Sequence, residues 1–402
     1  MKLISFLTFL VISYFIYGFY ISQSNLATIS PELKNEHPDG FYDYRGIANV
    51  RTNLSNGSSS PTEVISEAKA AGLDFLIFTD VNQFDRSESL NGYNGNLMVM
   101  NEGEYSFLDS RLLYLSQDES KLPNTPAETS VYFADLLSQE PADGKDHLLV
   151  LAHPFNPSQT WTGSYPPGLD GIEILNPRAV SQRAWLRSKL NVAWSLIIYP
   201  FNPRYSFLRL FREPREELLL WDKLSEGRMT WGFAGADASA RAIPFANALI
   251  KFPSYKMSME IANNHVLLES ELTGNYQKDR QKIFSALRKG NFYSSIDLLG
   301  DPKGFNAVIK DKDRTYLMGS KLKFSRGLKI ISALPIEPKD FFEVVVLKDG
   351  ERALTKNTRS LEFEIKEPGV YRLVVRVSPT LPLPDGKKWI SWIYTNPFYV
   401  TP

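Results

Sequence analysis

Three short stretches carry side chains able to move a proton, hold a cation or stabilise developing charge: Glu104 in GEYS, His153 in LAHPF and Asp237 in GADAS. A carboxylate can serve as base, an imidazole as acid and a second carboxylate as an electrostatic group, which together equip a site for acid–base chemistry. Each residue also has a plain structural reading. His153 precedes Pro154 and would hydrogen-bond at a strand end, Glu104 would pair with a neighbouring arginine, and Asp237 would cap the segment that follows it. Singly, the structural reading is the better one; chemistry requires that the three meet.

The elements that must bring them together are apolar, strand-like runs alternating with helical stretches from Asp43 to about Asp301, the pattern of parallel strands joined by crossover helices. The clearest unit is SPTEVISEAKAAGLDFLIFTD. Ser60 is a good N-cap, Pro61 suits the first helical position, Glu63 completes a capping box, and Gly72 ends the helix before a buried strand from Leu73 to Thr79. Further strands are expected at Leu97 to Asn101, Leu112 to Leu115, Leu148 to Ala152, Gly171 to Leu175 and Trp231 to Ala236. After about Phe305 the period changes to two: Leu361, Phe363 and Ile365 interleave with Glu362, Glu364 and Lys366, and Lys348-Asp349-Gly350 supplies a hairpin turn. That segment reads as a small β-sandwich.

Taken in order, six stretches resemble the PHP superfamily, named after polymerase and histidinol phosphatase domains: NVRTNLSNG (Asn49 to Gly57), TDV (Thr79 to Val81), GEYS, LAHPF, DGIEILN (Asp170 to Asn176) and GADAS. The tail WISWIYTNPFYV is similar to the C-terminal extension of some members. The resemblance implies a PHP-type distorted (β/α) barrel over 41–304, an Ig-like β-sandwich over 305–402, and a cluster of divalent ions held by imidazoles and carboxylates that turns water into a nucleophile.

Carried over residue by residue, the resemblance retains Glu104, His153 and Asp237 as remnant metal ligands and catalytic candidates. It replaces the others: Asn49 and Arg51 stand for the first His pair, Asn56 for an acidic residue, Val81 for the His of Thr-Asp-His, Ser239 for the last His and Arg111 for a further one. With Asp80 and Asn176 these residues are expected to line a pocket, and the whole set should converge at one mouth, because α/β barrels assemble sites from the loops after their strands. Each metal would keep about two protein ligands where catalytic zinc usually has three or more. No cofactor is therefore expected, the alternative being one divalent ion (Zn, Mn or Fe). The functional expectation is a protein that binds an anionic small molecule or an envelope protein without catalysis; the alternative is a hydrolase with a reduced metal site.

Losing cations would leave Glu104 and Asp237 repelling each other, so something cationic should compensate. Arg51 occupies a ligand position and its planar guanidinium can bind carboxylates in bidentate fashion, so it is expected to pair with Glu104, Asp237 or both.

The N-terminus, MKLISFLTFLVISYFIYGFYISQSN, places one lysine ahead of an uncharged apolar run from Leu3 to Ile21. At ~1.5 Å per residue this run crosses most of a ~30 Å hydrocarbon core. It reads as a signal anchor or signal peptide over 1–24, followed by a linker over 25–40, with the bulk of the chain on the non-cytoplasmic side, periplasmic or extracellular. Lys plus Arg and Asp plus Glu both number 45, which argues against nucleic acid as a partner. There is no cysteine and hence no disulfide or thiolate metal site. The aromatic segment from Trp194 to Phe211, with Arg204 and Arg209, is expected to be a helical excursion packed on the main domain, with a membrane-interface patch as the alternative. His265 is expected at a strand edge.

Overall fold

A computed structural model describes residues 2–29, 40–83, 88–117, 125–140, 144–156, 159–245, 248–312 and 314–402; His37 and most of the expected linker lie outside them. The chain is a mixed α/β protein with a large sheet and one apolar N-terminal helix, Lys2–Ser22.

Local sequence sets the elements as expected from propensity and capping. Helix Pro61–Ala70 starts with the Ser60–Glu63 capping box and is followed by Gly72 at a φ of 73°. The hairpin between Phe341–Lys348 and Glu351–Lys356 turns through Asp349 and Gly350, both left-handed. The expected strands appear as Phe75–Phe78, Leu97–Asn101, Ser110–Ser116, His147–Ala152, Gly171–Leu175 and Trp231–Ala238.

The strand Tyr42–Val50 organises the sheet. It runs parallel to Phe75–Phe78 on one side and, near its end, to Trp231–Ala238 on the other. Trp231–Ala238 continues parallel to Gly171–Leu175, which is parallel to His147–Ala152. Two antiparallel steps follow, from His147–Ala152 to Ser110–Ser116 and on to Gly103–Phe107. A parallel bridge from Glu104 to Val81, just after Phe75–Phe78, brings the pairings back to where they began. With Leu97–Asn101, which is parallel to Phe75–Phe78, six parallel strands finish on one side, where crossover connections leave the sheet and ligands commonly bind.

The N-terminal half of Tyr42–Val50 pairs antiparallel with Asn263–Leu268, and the ladder continues through Phe292–Ser295 to Ile390–Thr395 and Gly369–Ser378. The main-chain hydrogen bonding therefore crosses residue 305. Asn396 reinforces the joint by accepting from the Gly232 N–H at 2.8 Å and donating to the Phe292 carbonyl at 3.0 Å. A separate four-stranded sheet holds Arg314–Leu317, Asn306–Asp311, Lys329–Ala333 and Ser360–Glu364.

His265 is fully buried in Asn263–Leu268 with a strand on each side, which corrects the expectation of an edge position. The reason is a buried ion network invisible in sequence: Nδ1 lies 2.9 Å from Asp43 and Nε2 3.4 Å from Asp297, while the ring stacks on Tyr293. Burial pushes the imidazole pKa down, but the charges of Asp43 and Asp297 outweigh that and raise it to about 10.

Candidate functional site

The parallel strand ends surround Arg51, which is 4% exposed. Its Nε and Nη2 donate to the two carboxylate oxygens of Glu104 at 2.6 and 3.0 Å, and Nη1 stands 2.8 Å from Oδ1 of Asp237. One guanidinium thus binds one acid in bidentate fashion and a second acid with its remaining arm. The expected pairing of Arg51 is present with both partners.

A second layer holds this centre. Asn49 accepts from Arg51 at 3.3 Å and donates to Oε1 of Glu173 at 2.7 Å. The other Glu173 oxygen accepts the His153 backbone N–H at 2.8 Å and the Asn176 amide at 3.0 Å. Asn176 also caps helix Pro177–Arg187, so one side chain fixes both the start of a helix and a buried carboxylate. Gly235 is required by close approach: a Cβ there would stand 1.7 Å from Oε1 of Glu173. Asn49, His153 and Asp237 all adopt left-handed backbone, with φ of 61°, 34° and 45°. Three strained non-glycine residues at neighbouring strand ends are the kind of cluster that surrounding packing sustains at functional sites.

The electrostatics follow from this packing. Burial raises the pKa of Glu104, yet the Arg51 charge and the hydrogen bonds from His153 and Arg51 bring it down to about 2. His153 places Nε2 3.4 Å from Glu104. Burial lowers its pKa, and the hydrogen bond to Glu104 with the charge of Glu173 more than reverses this, so its pKa is raised. Its Nδ1 is buried without a hydrogen-bond partner among the described residues. Glu173 is held above the usual carboxylate range by burial, against the charge of His153 and the Asn49 hydrogen bond.

The chain is similar to two solved structures of related description. One is a two-domain protein from Bacteroides vulgatus containing a predicted PHP-like metal-dependent phosphoesterase, at 13% identity and a TM-score of 0.42, covering 91% of this chain and 99% of that one. The other, from Bifidobacterium adolescentis and provisionally described as a metal-dependent phosphoesterase, is 11% identical with a TM-score of 0.28, covering 52% of this chain and 92% of that one. No protein-family profile matches the chain, and no curated protein matches it in sequence.

Of the residues expected to line a pocket, the cluster unites Asn49, Arg51, Glu104, His153, Asn176 and Asp237. Val81 adjoins it through the bridge to Glu104. Asp80 is taken up structurally, accepting from the Thr52 N–H and hydroxyl at 2.7 Å each and from Ser55. Ser239 is joined to the Arg51 backbone by the Tyr255 hydroxyl, 2.7 Å from the Arg51 carbonyl and 3.0 Å from that of Ser239. Arg111 is half-buried beside Ala152 in the ladder and donates to Ser106. Asn56 is exposed on the turn after the first strand and makes none of the cluster's hydrogen bonds among the described residues, because that turn points its side chain into solvent. Two members were not foreseen. Glu173 carries a usable signal, a lone carboxylate between Ile172 and Ile174 in a buried strand. Arg178, whose Nη1 lies 3.3 Å from Asp237, carries none, since an arginine in the first helical turn looks like any solvated one.

This donor set does not fit a divalent ion. Both Glu104 oxygens and Oδ1 of Asp237 are taken by guanidinium nitrogens, and the remaining imidazole approaches Glu104 with a raised pKa. Among the described residues the one group whose candidate ligand atoms lie within 4.8 Å of one another is elsewhere, at His265, Asp297 and Asp301. Both His265 nitrogens there already face carboxylates, whose charges raise the pKa of the ring.

Proposed function

We propose that this chain is a membrane-tethered, PHP-type phosphoesterase-like protein that binds an anionic ligand without hydrolysing it. Arg51 stands where the resemblance puts metal ligands and supplies the positive charge that ions would have given. Its three-pronged contact with Glu104 and Asp237 carries the loss of hydrolysis, and the anionic ligand falls to Arg178, which keeps about a third of its side chain exposed beside Asp237. Relaying a metal into this centre would require moving a buried, doubly paired arginine, which removes stabilisation from both carboxylates.

The circuit of pairings that returns through Val81 and Glu104 supports a distorted (β/α) barrel over 41–304. The two β-sheets of the C-terminal region support an Ig-like β-sandwich over 305–402, fused to the barrel by the ladder across Phe292–Ser295. Helix Lys2–Ser22 is long and apolar enough to cross a membrane and would act as a signal anchor, with the remainder on the non-cytoplasmic side.

The test is phosphoester turnover by the full chain with added zinc, manganese or iron, using p-nitrophenyl phosphate. The expected result is no activity above that of Glu104→Ala. Turnover that is abolished by both Glu104→Ala and His153→Ala would replace this reading with that of a hydrolase.

A further inference from the structure

Beside the Arg51 cluster lies a cleft of about 690 Å³ that phosphoester binding alone does not explain. Its floor holds Arg178, Asp237 and Ser239. Its walls are apolar, with Trp185, Leu186, Leu196, Tyr199, Phe207 and Met257 among them. A small, fully charged ligand would be poorly served by such walls, since apolar surface rewards only apolar contact.

Three helices form one wall: Pro177–Arg187, Lys189–Ile198 and Pro203–Leu210. The second of them, and the turn that leads into the third, also contact the N-terminal helix. Tyr14 donates to the Ile197 carbonyl at 2.9 Å, Asn202 donates to the Ile21 carbonyl at 2.8 Å, and Phe201 packs edge-on against Tyr14 and Phe15. The helix Lys189–Ile198 therefore presents Leu196 to the cleft and the Ile197 backbone to the apolar N-terminal helix. On the first two of these helices Leu186 is 73% and Leu190 84% exposed, with Ile197 and Trp185 nearly half exposed. Exposed apolar side chains near a membrane-length helix suit a surface that rests in the bilayer interface.

We infer that the cleft takes the acyl chain of a membrane amphiphile whose phosphate-type headgroup lies against Arg178. Arg51 cannot recognise the headgroup, because its donors are engaged with Glu104 and Asp237. Arg178 can: it makes one long contact at 3.3 Å and keeps about a third of its side chain exposed at the cleft floor. Its planar fork suits a phosphate oxygen pair. The chain thus draws a lipid headgroup out of the membrane towards the strand ends, the tail remaining between the helices that hold the anchor. This inference rests on the proposed anionic-ligand pocket and specifies its occupant.

The test uses the full chain in phosphatidylcholine nanodiscs containing phosphatidic acid with a photoreactive acyl chain, and separately tail-labelled phosphatidylcholine. Glycerol phosphate serves as the soluble probe. Cross-links from phosphatidic acid should map to helices 177–187, 189–198 and 203–210, and should fall at least about tenfold in Arg178→Gln, the scale of one lost charge-assisted contact. Leu196→Glu, at a partly exposed position that tolerates polarity, should reduce them similarly. Equal cross-linking by both lipids, insensitive to Arg178→Gln, would overturn the inference by reducing the cleft to a non-selective crevice. Absence of cleft cross-links while glycerol phosphate still binds, dependent on Arg178, would overturn the lipid and leave the anionic pocket standing. Failure of both probes would remove the pocket as well.

Discussion

Arg51 and Glu104 meet through two hydrogen bonds, Nε to Oε2 at 2.6 Å and Nη2 to Oε1 at 3.0 Å, in a place where water barely reaches either residue. Removing one member of a buried pair leaves the other charge uncompensated, which costs about 3–5 kcal/mol. Arg51→Ala should therefore lower the unfolding free energy of the full chain in detergent by that amount, measured by denaturant titration. Arg51→Lys should lie between, because an ammonium cannot span Glu104 and Asp237 with fixed geometry.

The same pairing sets behaviour in acid. Glu104 has a folded pKa near 2 against an ordinary value of 4.5, so its contribution is fully present above pH 4.5 and is lost as pH falls towards 2. The shift corresponds to a contribution on the order of 3 kcal/mol. Stability measured from pH 5 down to pH 2 should fall more steeply for the native chain than for Glu104→Gln.

His265 acts at the other end of the scale. With its pKa raised from 6.5 to about 10, its contribution is complete below pH 6.5 and drains away as pH rises to 10. Melting temperature should decline across that window, and His265→Gln should start lower and show a flatter profile.

Much of this was legible in the sequence because local rules governed it. The Ser60–Glu63 box, the Asp349-Gly350 turn and the strand runs are set by capping, turn chemistry and periodicity, and they appear with small shifts of boundary. Arg51 was legible for another reason: on the resemblance two carboxylates would lack their cations and demand a positive charge, and of the two ligand positions that carry arginine, 51 and 111, Arg51 lies in the first of the six motifs. What stayed hidden depends on contacts between distant segments. Glu173 joins Asn49, Asn176 and the His153 backbone from separate strand ends, Asn56 is turned outwards by its loop, and His265 is buried by acids that lie 222 and 32 residues away.

Gly235 gives a prediction about packing. Oε1 of Glu173 is tied to Asn49 and Oε2 to His153 and Asn176, so the carboxylate cannot swing away from an added methyl group without breaking bonds. Gly235→Ala should destabilise the chain by about 1–3 kcal/mol, the range for overpacked sites, as read from the denaturant midpoint.

On the proposed function, Arg51 takes the place of metal. The direct measurement is the zinc, manganese and iron content, by elemental mass spectrometry, of the full chain purified without chelators, beside Arg51→His. The expected result is far less than one ion per chain for the native protein and a gain for Arg51→His, which removes the guanidinium and adds an imidazole. Near-stoichiometric metal in the native chain, lost in Glu104→Ala, would contradict it.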